Sequence, residues 1–236
     1  MATLIGWKVA DDDILLALPV ELLQPVLKRL LMFVMRAKCK LSDATAEVPL
    51  WGVVEAASEG VAWSRQGDAI RLPAAPGVAL FMQLQAPVGL AELGLSNWQW
   101  LSLQSGLPWI TAATSEQFVP QMVNLELLGG VNFKKGCYPG QEVVARSQYR
   151  GSLKRRSYLY ESSAAAAPGQ EIFHSDDPGQ PAGMVVNVAM RAGRSMILAE
   201  TKIAALASGS LHLGAAEGPL LTPRPLPYAL DVDVTE

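Results

Sequence analysis

Hydrophobic and polar positions along the first half of the chain fall into short blocks of different period. Residues 14–18 (Ile-Leu-Leu-Ala-Leu) are a continuous apolar run of the length of a short buried strand. Pro19 follows and leads into a helix from about residue 21 to 34. Leu22, Leu23, Val26, Leu27, Leu30, Leu31 and Val34 recur there at helical spacing and are predicted to form its core face. The apolar stretch 14–35 is interrupted by Glu21, Gln24, Lys28 and Arg29, so it does not read as a membrane span. Strands are predicted around 39–41 and over 48–57. Residues 60–64 and 69–72 read as a hairpin around Gln66-Gly67-Asp68, and 78–84 as a further strand. Ser96 is the predicted N-cap of a helix from Asn97 to about Gln104, closed by Gly106 and Pro108. Residues 116–128 read as partly helical, with Pro120 restricting the first turn. Pro139-Gly140 reads as a turn, and 141–149 as a helix.

Beyond Gly151 the helical period disappears. Short β-rich runs at 157–160, 184–188, 196–200 and 228–232 alternate with Gly, Pro and Ser, and 162–168 is an alanine-rich loop. That texture predicts a small all-β unit, sandwich or barrel, with a boundary near 151–156.

Composition sharpens this picture in three ways. Half of the 236 residues are hydrophobic and 17% are charged, enough to bury a core. The formal net charge is −3, but residues 134–156 hold seven basic side chains and one acid. That segment is therefore +6 on a chain that is −9 elsewhere. A local basic patch on an acidic background points to a specific anionic ligand or partner, not to general nucleic-acid coating. The two cysteines and two histidines have neither zinc spacing nor a disulfide framework, and with no signal peptide they point to a reducing cytoplasm.

Candidate chemistry concentrates in Lys134-Lys135-Gly136-Cys137-Tyr138-Pro139-Gly140-Gln141-Glu142. The glycines and proline allow a tight, exposed turn. A helix N-terminus just beyond, with two lysines before, would favour a thiolate at Cys137. A small buried residue beside a turn is the other reading, and local chemistry leaves the two open. Glu142 can support the helix dipole and pair with Arg146, or act as an acid or base. Arg146, Arg150 and Lys154 share a face if the helix runs that far. With Arg155 and Arg156 they could hold a carboxylate or phosphate, the alternative being a solvated basic face. Trp98 and Trp100 are two apart on one helix and cannot face the same way, so one can pack in the core while the other walls a ligand site. Gln121 and Asn124 could bind a ligand or cap a helix end. Trp51, Trp63 and Trp109 are expected in the core, Cys39 on an inert strand, and His174 and His212 in structural or exposed positions.

The stretch from Asn97 to Arg156 resembles the YgfZ family of folate-binding proteins, relatives of the glycine-cleavage T protein, an aminomethyltransferase. The residues that carry the resemblance are Gly106-Leu107-Pro108, Phe118-Val119-Pro120-Gln121, Asn124-Leu125, Leu128-Gly129-Gly130-Val131, Lys134 through Glu142, Val144-Ala145-Arg146 and Arg150-Gly151. The resemblance implies an α+β fold of the T-protein type, with two α+β lobes and a C-terminal β-barrel around a central hole. Residues 1–45 would then be a remnant of the second lobe, 46–150 the returning part of the first, and 151–236 the barrel. Family members begin with several tens of residues that have no counterpart here, so the first lobe is expected to be incomplete.

By the same resemblance the cofactor is tetrahydrofolate or another folate derivative, and Cys137 is the residue the family needs. The candidate cofactor-binding set is Trp98, Gln121, Asn124, Tyr138, Gln141, Glu142, Arg146 and Arg150, with Trp98 at the position where the family sets a Trp against folate. The implied role is upkeep of iron–sulfur enzymes, such as a radical tRNA methylthiolase, by an accessory factor that acts on tRNA only indirectly. A T-protein-like one-carbon transferase is the runner-up. It is disfavoured because Met122 stands where the T protein carries the Glu that grips the pterin. An RNA-binding module built on 134–156 is third.

Overall fold

The structure is a computed structural model that describes residues 1–138, 140–149 and 153–230; side chains 147–149 are outside the description. Among the described residues three antiparallel sheets and three α-helices make up an α+β arrangement.

Strands β1 (Ile5–Lys8) and β2 (Ile14–Ala17) form a hairpin in the register Ile5↔Ala17. In β1, Ile5 and Trp7 point inward and their neighbours outward, the period of a half-buried strand. The run 14–18 was expected to be buried, yet the residues of β2 are half or fully exposed, because only one face of this two-stranded ribbon is covered. Helix α1 (Val20–Val34) forms where the apolar spacing predicts it, but only the first half of its stripe is a core face, with Leu22 and Val26 packed in the cluster around Trp100. Leu22 alone is buried, whereas Leu30, Leu31, Met32 and Phe33 are exposed. No described layer covers that half of the helix. Residues 39–41 are not a strand. They lie in an irregular exposed segment, and Cys39 is a surface thiol.

A four-stranded sheet in the order β3-β6-β5-β4 follows: β3 (Trp51–Ala56), β4 (Arg65–Gln66), β5 (Ala69–Leu72) and β6 (Val78–Gln83). The predicted hairpin exists, but its first strand is Arg65–Gln66, later than expected, because Trp63 adopts φ 69° and breaks extension before it. Gly67 takes φ 62° in the turn. Asp68 Oδ2 accepts the amides of Leu84 and Gln85, at 3.0 and 2.6 Å. Trp7 Nε1 donates to the Asp68 carbonyl at 3.0 Å, fixing the N-terminal hairpin to this turn. Leu80 and Met82 pack with Ile5, Trp7, Ile70 and Leu72, while Ala79 and Phe81 pack with Val53 on the other face.

Helix α2 (Leu95–Gln104) lies between this sheet and the third. Trp98 and Leu101 join the small-sheet cluster, whereas Trp100 and Leu103 join Leu159, Val186, Ala189, Met196 and Leu198. The helix starts two residues earlier than Asn97, after Gly94, and Ser96 makes no side-chain cap. Gly106 (φ 68°) ends it, with its amide on the Leu103 carbonyl at 3.0 Å.

The third sheet has six strands in the order β11-β8-β9-β10-β7-β12: β7 (Arg155–Ser162), β8 (Glu171–His174), β9 (Asp177–Arg191), β10 (Arg194–Lys202), β11 (Leu211–Leu213) and β12 (Thr222–Arg224). It curls into a half-barrel with register shifts in β8 and β10. The chain from Pro219 to Arg224 spans its two edges, pairing with β11 through Leu220 and Leu221 and with β7 through β12. Side chains alternate between the register shifts. Tyr160, Val185, Ile197, Leu211 and Leu213 fill the inside, while Leu159, Val186 and Leu198 face α2. The expected strand at 228–232 is absent where described: 228–230 is irregular, and 231–232 lie outside the described residues. Pro223, Pro225 and Pro227 restrict the backbone there, and the strand sits earlier, at Thr222–Arg224. No described helix is long and apolar enough to cross a membrane.

Candidate functional site

The signature segment forms a loop followed by α3 (Gln141–Tyr149). Asn132 Oδ1 accepts the Lys134 amide at 2.8 Å, opening the loop with an Asx turn. At its far end the Tyr138 amide donates to Gln141 Oε1 at 3.1 Å and the Gln141 amide donates to the Tyr138 carbonyl at 3.2 Å. This reciprocal pair acts like a capping box, with Gln141 reaching back over three residues. Lys135 Nζ sits 4.8 Å from the centre of the Tyr138 ring. Between these anchors Cys137 is exposed, as are Lys134, Lys135 and Gly136. Glu142 and Arg146 pair at 2.8 Å across one turn of α3, both well exposed, so the pair contributes no more than about 0.5 kcal/mol. Pro139 and the candidate Arg150 lie outside the described residues.

Gln121 and Asn124 are fully buried. They belong to a 3₁₀ turn, Pro120–Val123, in which Asn124 takes the left-handed C-cap conformation at φ 58°. Gln121 Nε2 donates to the Val144 carbonyl of α3 at 2.7 Å, and Asn124 Nδ2 donates to the Ser157 carbonyl of β7 at 2.8 Å. Arg156 donates to the Gln121 carbonyl at 3.0 Å and pairs with Glu126; the two charged side chains are 5% and 6% exposed. Tyr228 completes the network, with its hydroxyl donating to the Gly106 carbonyl at 3.1 Å and lying 3.3 Å from Asn124 Nδ2. Burial raises the Tyr228 phenol, and despite opposing help from Asn124 it is pushed up to about 12. Burial also raises Tyr158, with Arg156 pulling it back. Four buried polar atoms here have no partner among the described residues: Gln121 Oε1, Asn124 Oδ1, Glu126 Oε2 and the Tyr158 hydroxyl. In such a polar pocket, water is the ordinary way to satisfy them.

The contacts divide the sequence-chosen residues into three places. Cys137, Tyr138, Gln141, Glu142 and Arg146 share the exposed loop and α3. Gln121 and Asn124 sit in the buried network beneath, tied to α3 through Val144. Trp98 stands apart, half-buried on the small sheet. Its indole lies so close over β3 that a Cβ added at Gly52 would come within 2.6 Å of the ring. Met122 packs against the core cluster that holds Trp100. Among the described residues, no hydrogen bond or ion pair joins Trp98 or the Cys137 side chain to the network.

Two expectations change. Of the basic segment, Arg155 is held by Glu200, with Nη2 to Oε2 at 2.8 Å, and Arg156 by Glu126. Neither is available to an anion in company with Arg146, and the patch is not one continuous surface. Trp51 is 42% exposed at the start of β3, and Trp63 is 36% exposed, with Nε1 donating to the Leu128 carbonyl at 2.6 Å. Neither is a core residue. His174 is buried and structural, bonded to the Ser208 carbonyl at 2.6 Å, and His212 bridges Ser210 and Gly218. Sequence reading missed Glu126 and Tyr228 as parts of the network. The available signal was a lone carboxylate inside the apolar run Leu125–Leu128. Among the described residues no group of three or more His, Cys, Asp and Glu could hold a metal ion.

An exposed thiol loop braced from below on an α+β scaffold is the class of site that fold and geometry define. No family model matches the chain. Over 82 residues, 34% of its length, it is 54% identical to the tRNA-modifying protein YgfZ of Escherichia coli O45:K1 (strain S88 / ExPEC) and of Escherichia coli O139:H28 (strain E24377A / ETEC). In each case the match covers 25% of the relative. The chain thus spans about a quarter of the length of the curated relatives it matches, and the similarity supports the YgfZ family.

Proposed function

We propose that this chain carries the thiol-bearing part of a folate-binding accessory protein that supports assembly or repair of iron–sulfur enzymes and so affects tRNA modification. The observation that carries the reading is the exposure of Cys137 on a loop fixed at both ends, by Asn132 on one side and by the Tyr138–Gln141 pair on the other. A thiol held in this way can reach a second protein without rearrangement of its own backbone, which a buried thiol cannot. The similarity to proteins named for tRNA modification supports tRNA modification as the process in which that thiol acts. Tetrahydrofolate is the proposed cofactor, with Trp98 as its aromatic wall. The proposed partners are folate and iron–sulfur clients, such as a radical tRNA methylthiolase. We assign 1–45, 46–150 and 151–236 to the remnant of the second lobe, the returning first lobe and the barrel.

The test is complementation in cells lacking the native protein, reading the methylthiolation of tRNA. The chain should restore it and Cys137→Ala should not; equal rescue by the variant would remove the thiol from the mechanism. Folate binding is tested separately, by tetrahydrofolate titration of Trp fluorescence in the wild type and in Trp98→Ala. A wild-type signal that does not change would remove folate.

A further inference from the structure

On the side of α2 opposite Trp98, a cavity of about 610 Å³ opens between the helix, the β9–β10 hairpin and the segment after β12. That volume lies in the range of small-molecule sites. Its apolar surfaces include Trp100, Met196 and Leu226, and its charged groups are Arg191, Arg194, Arg224 and Glu161. Glu161 is already committed: one carboxylate oxygen takes Arg194 and the other takes Arg224, each at 2.8 Å. Those contacts, Arg194 first, hold its carboxyl below the usual range. The lining therefore carries two surplus positive charges. Arg191 is the cation without an ion pair among the described residues. Its guanidinium lies 4.8 Å from the centre of the Trp100 ring. Stacking leaves the N–H edge of a guanidinium free for an anion.

The cavity wall is fixed without a ligand. The Tyr228 hydroxyl holds the C-terminal segment to the Gly106 carbonyl, and Gly106 lets that segment come close. A Cβ there would stand 2.7 Å from the Tyr228 oxygen and 2.8 Å from Leu226. A preformed pocket with an apolar wall and one unpaired, pre-oriented guanidinium selects an amphipathic anion.

We propose that this cavity binds a small organic anion with a flat apolar body, its acidic group on Arg191 and its body against Met196 and Leu226. The site is separate from both the Cys137 loop and Trp98. The test uses 1-naphthoate and its neutral analogue 1-naphthalenemethanol as probes, titrated calorimetrically into the full chain. Naphthoate should bind at least about tenfold tighter than the alcohol, the gain of one charge-assisted hydrogen bond. Arg191→Ala should abolish that preference, and Trp98→Ala should leave it intact. Arg191 lies exposed at the hairpin tip, and Arg191→Met, which keeps an aliphatic cover on Trp100, should abolish the preference equally. Equal affinity for the two probes, unchanged naphthoate binding in Arg191→Ala, loss of binding in Trp98→Ala, or no naphthoate binding to the wild type would each overturn the proposal.

Discussion

Replacing Glu126 by Gln removes one charge from a pair whose two side chains are 5% and 6% exposed. Among the described residues the guanidinium of Arg156 then has the Gln121 carbonyl and a neutral amide as its acceptors in the core. Leaving a buried charge uncompensated costs about 3–5 kcal/mol. Against a typical total of roughly 5–15 kcal/mol, that is a large share of the stability. With a urea slope of about 2–3 kcal/mol per molar, the unfolding midpoint should fall by about 1–2.5 M. Replacing both partners, Glu126→Leu with Arg156→Met, removes the desolvation problem as well as the attraction. The double variant gives up about 1 kcal/mol for the Gln121 carbonyl that loses its donor, and should lie much closer to wild type than either single variant. The assay is urea unfolding followed in parallel by Trp fluorescence and far-ultraviolet circular dichroism. A midpoint shift below about 0.3 M for Glu126→Gln, or single effects that simply add in the double variant, would refute the claim that this pair is buried and coupled.

Three further outcomes follow from named contacts. Tyr228→Phe should flatten the alkaline limb of stability. The raised phenol of the folded state contributes fully below pH 10, and its contribution is lost between about 10 and 12 as the unfolded chain ionises first; pH-dependent urea midpoints of the two proteins read the difference. Glu161→Gln should act at the other end. Its folded carboxyl is depressed by Arg194 and Arg224, so the wild type holds an advantage above about pH 4.5 that disappears as pH falls; acid titration of both proteins should show the curves converging below pH 4. Gly52→Ala drives a methyl into the Trp98 indole and should displace it, at a cost of about 1–3 kcal/mol seen in thermal unfolding and a changed emission spectrum. In a Trp98→Ala background the same substitution should cost almost nothing.

Elements whose residues satisfy their own local pattern were legible in the sequence. The β4–β5 turn is written in Gln66-Gly67-Asp68, and β9 and β10 show the two-residue alternation that sends Val185 and Ile197 inward and Val186 and Leu198 toward α2. Trp98 and Trp100 separate as their spacing requires. What was not legible depends on distant partners. Periodicity says which residues of α1 share a side, but nothing in residues 20–34 says what covers that side, and Leu30 through Phe33 are exposed. Arg155 and Arg156 read as part of a basic surface because the acids that hold them lie 45 and 30 residues away.

Distant partners also link the buried network to the exposed thiol. Gln121 spends its amide N–H on Val144, near the start of α3, and its backbone carbonyl on Arg156, near the start of β7. Asn124 adds Ser157, and Tyr228 adds the end of α2 through Gly106. Five segments far apart in sequence therefore meet in one largely buried cluster beneath the helix that follows Cys137. Among its described side chains α3 has one buried apolar residue, Val144, and its surface pair Glu142–Arg146 is worth little. A nine-residue helix of that kind does not hold its position by propensity alone. Its placement rests on the network, so residues that never reach solvent, Gln121 first among them, govern where the thiol loop stands.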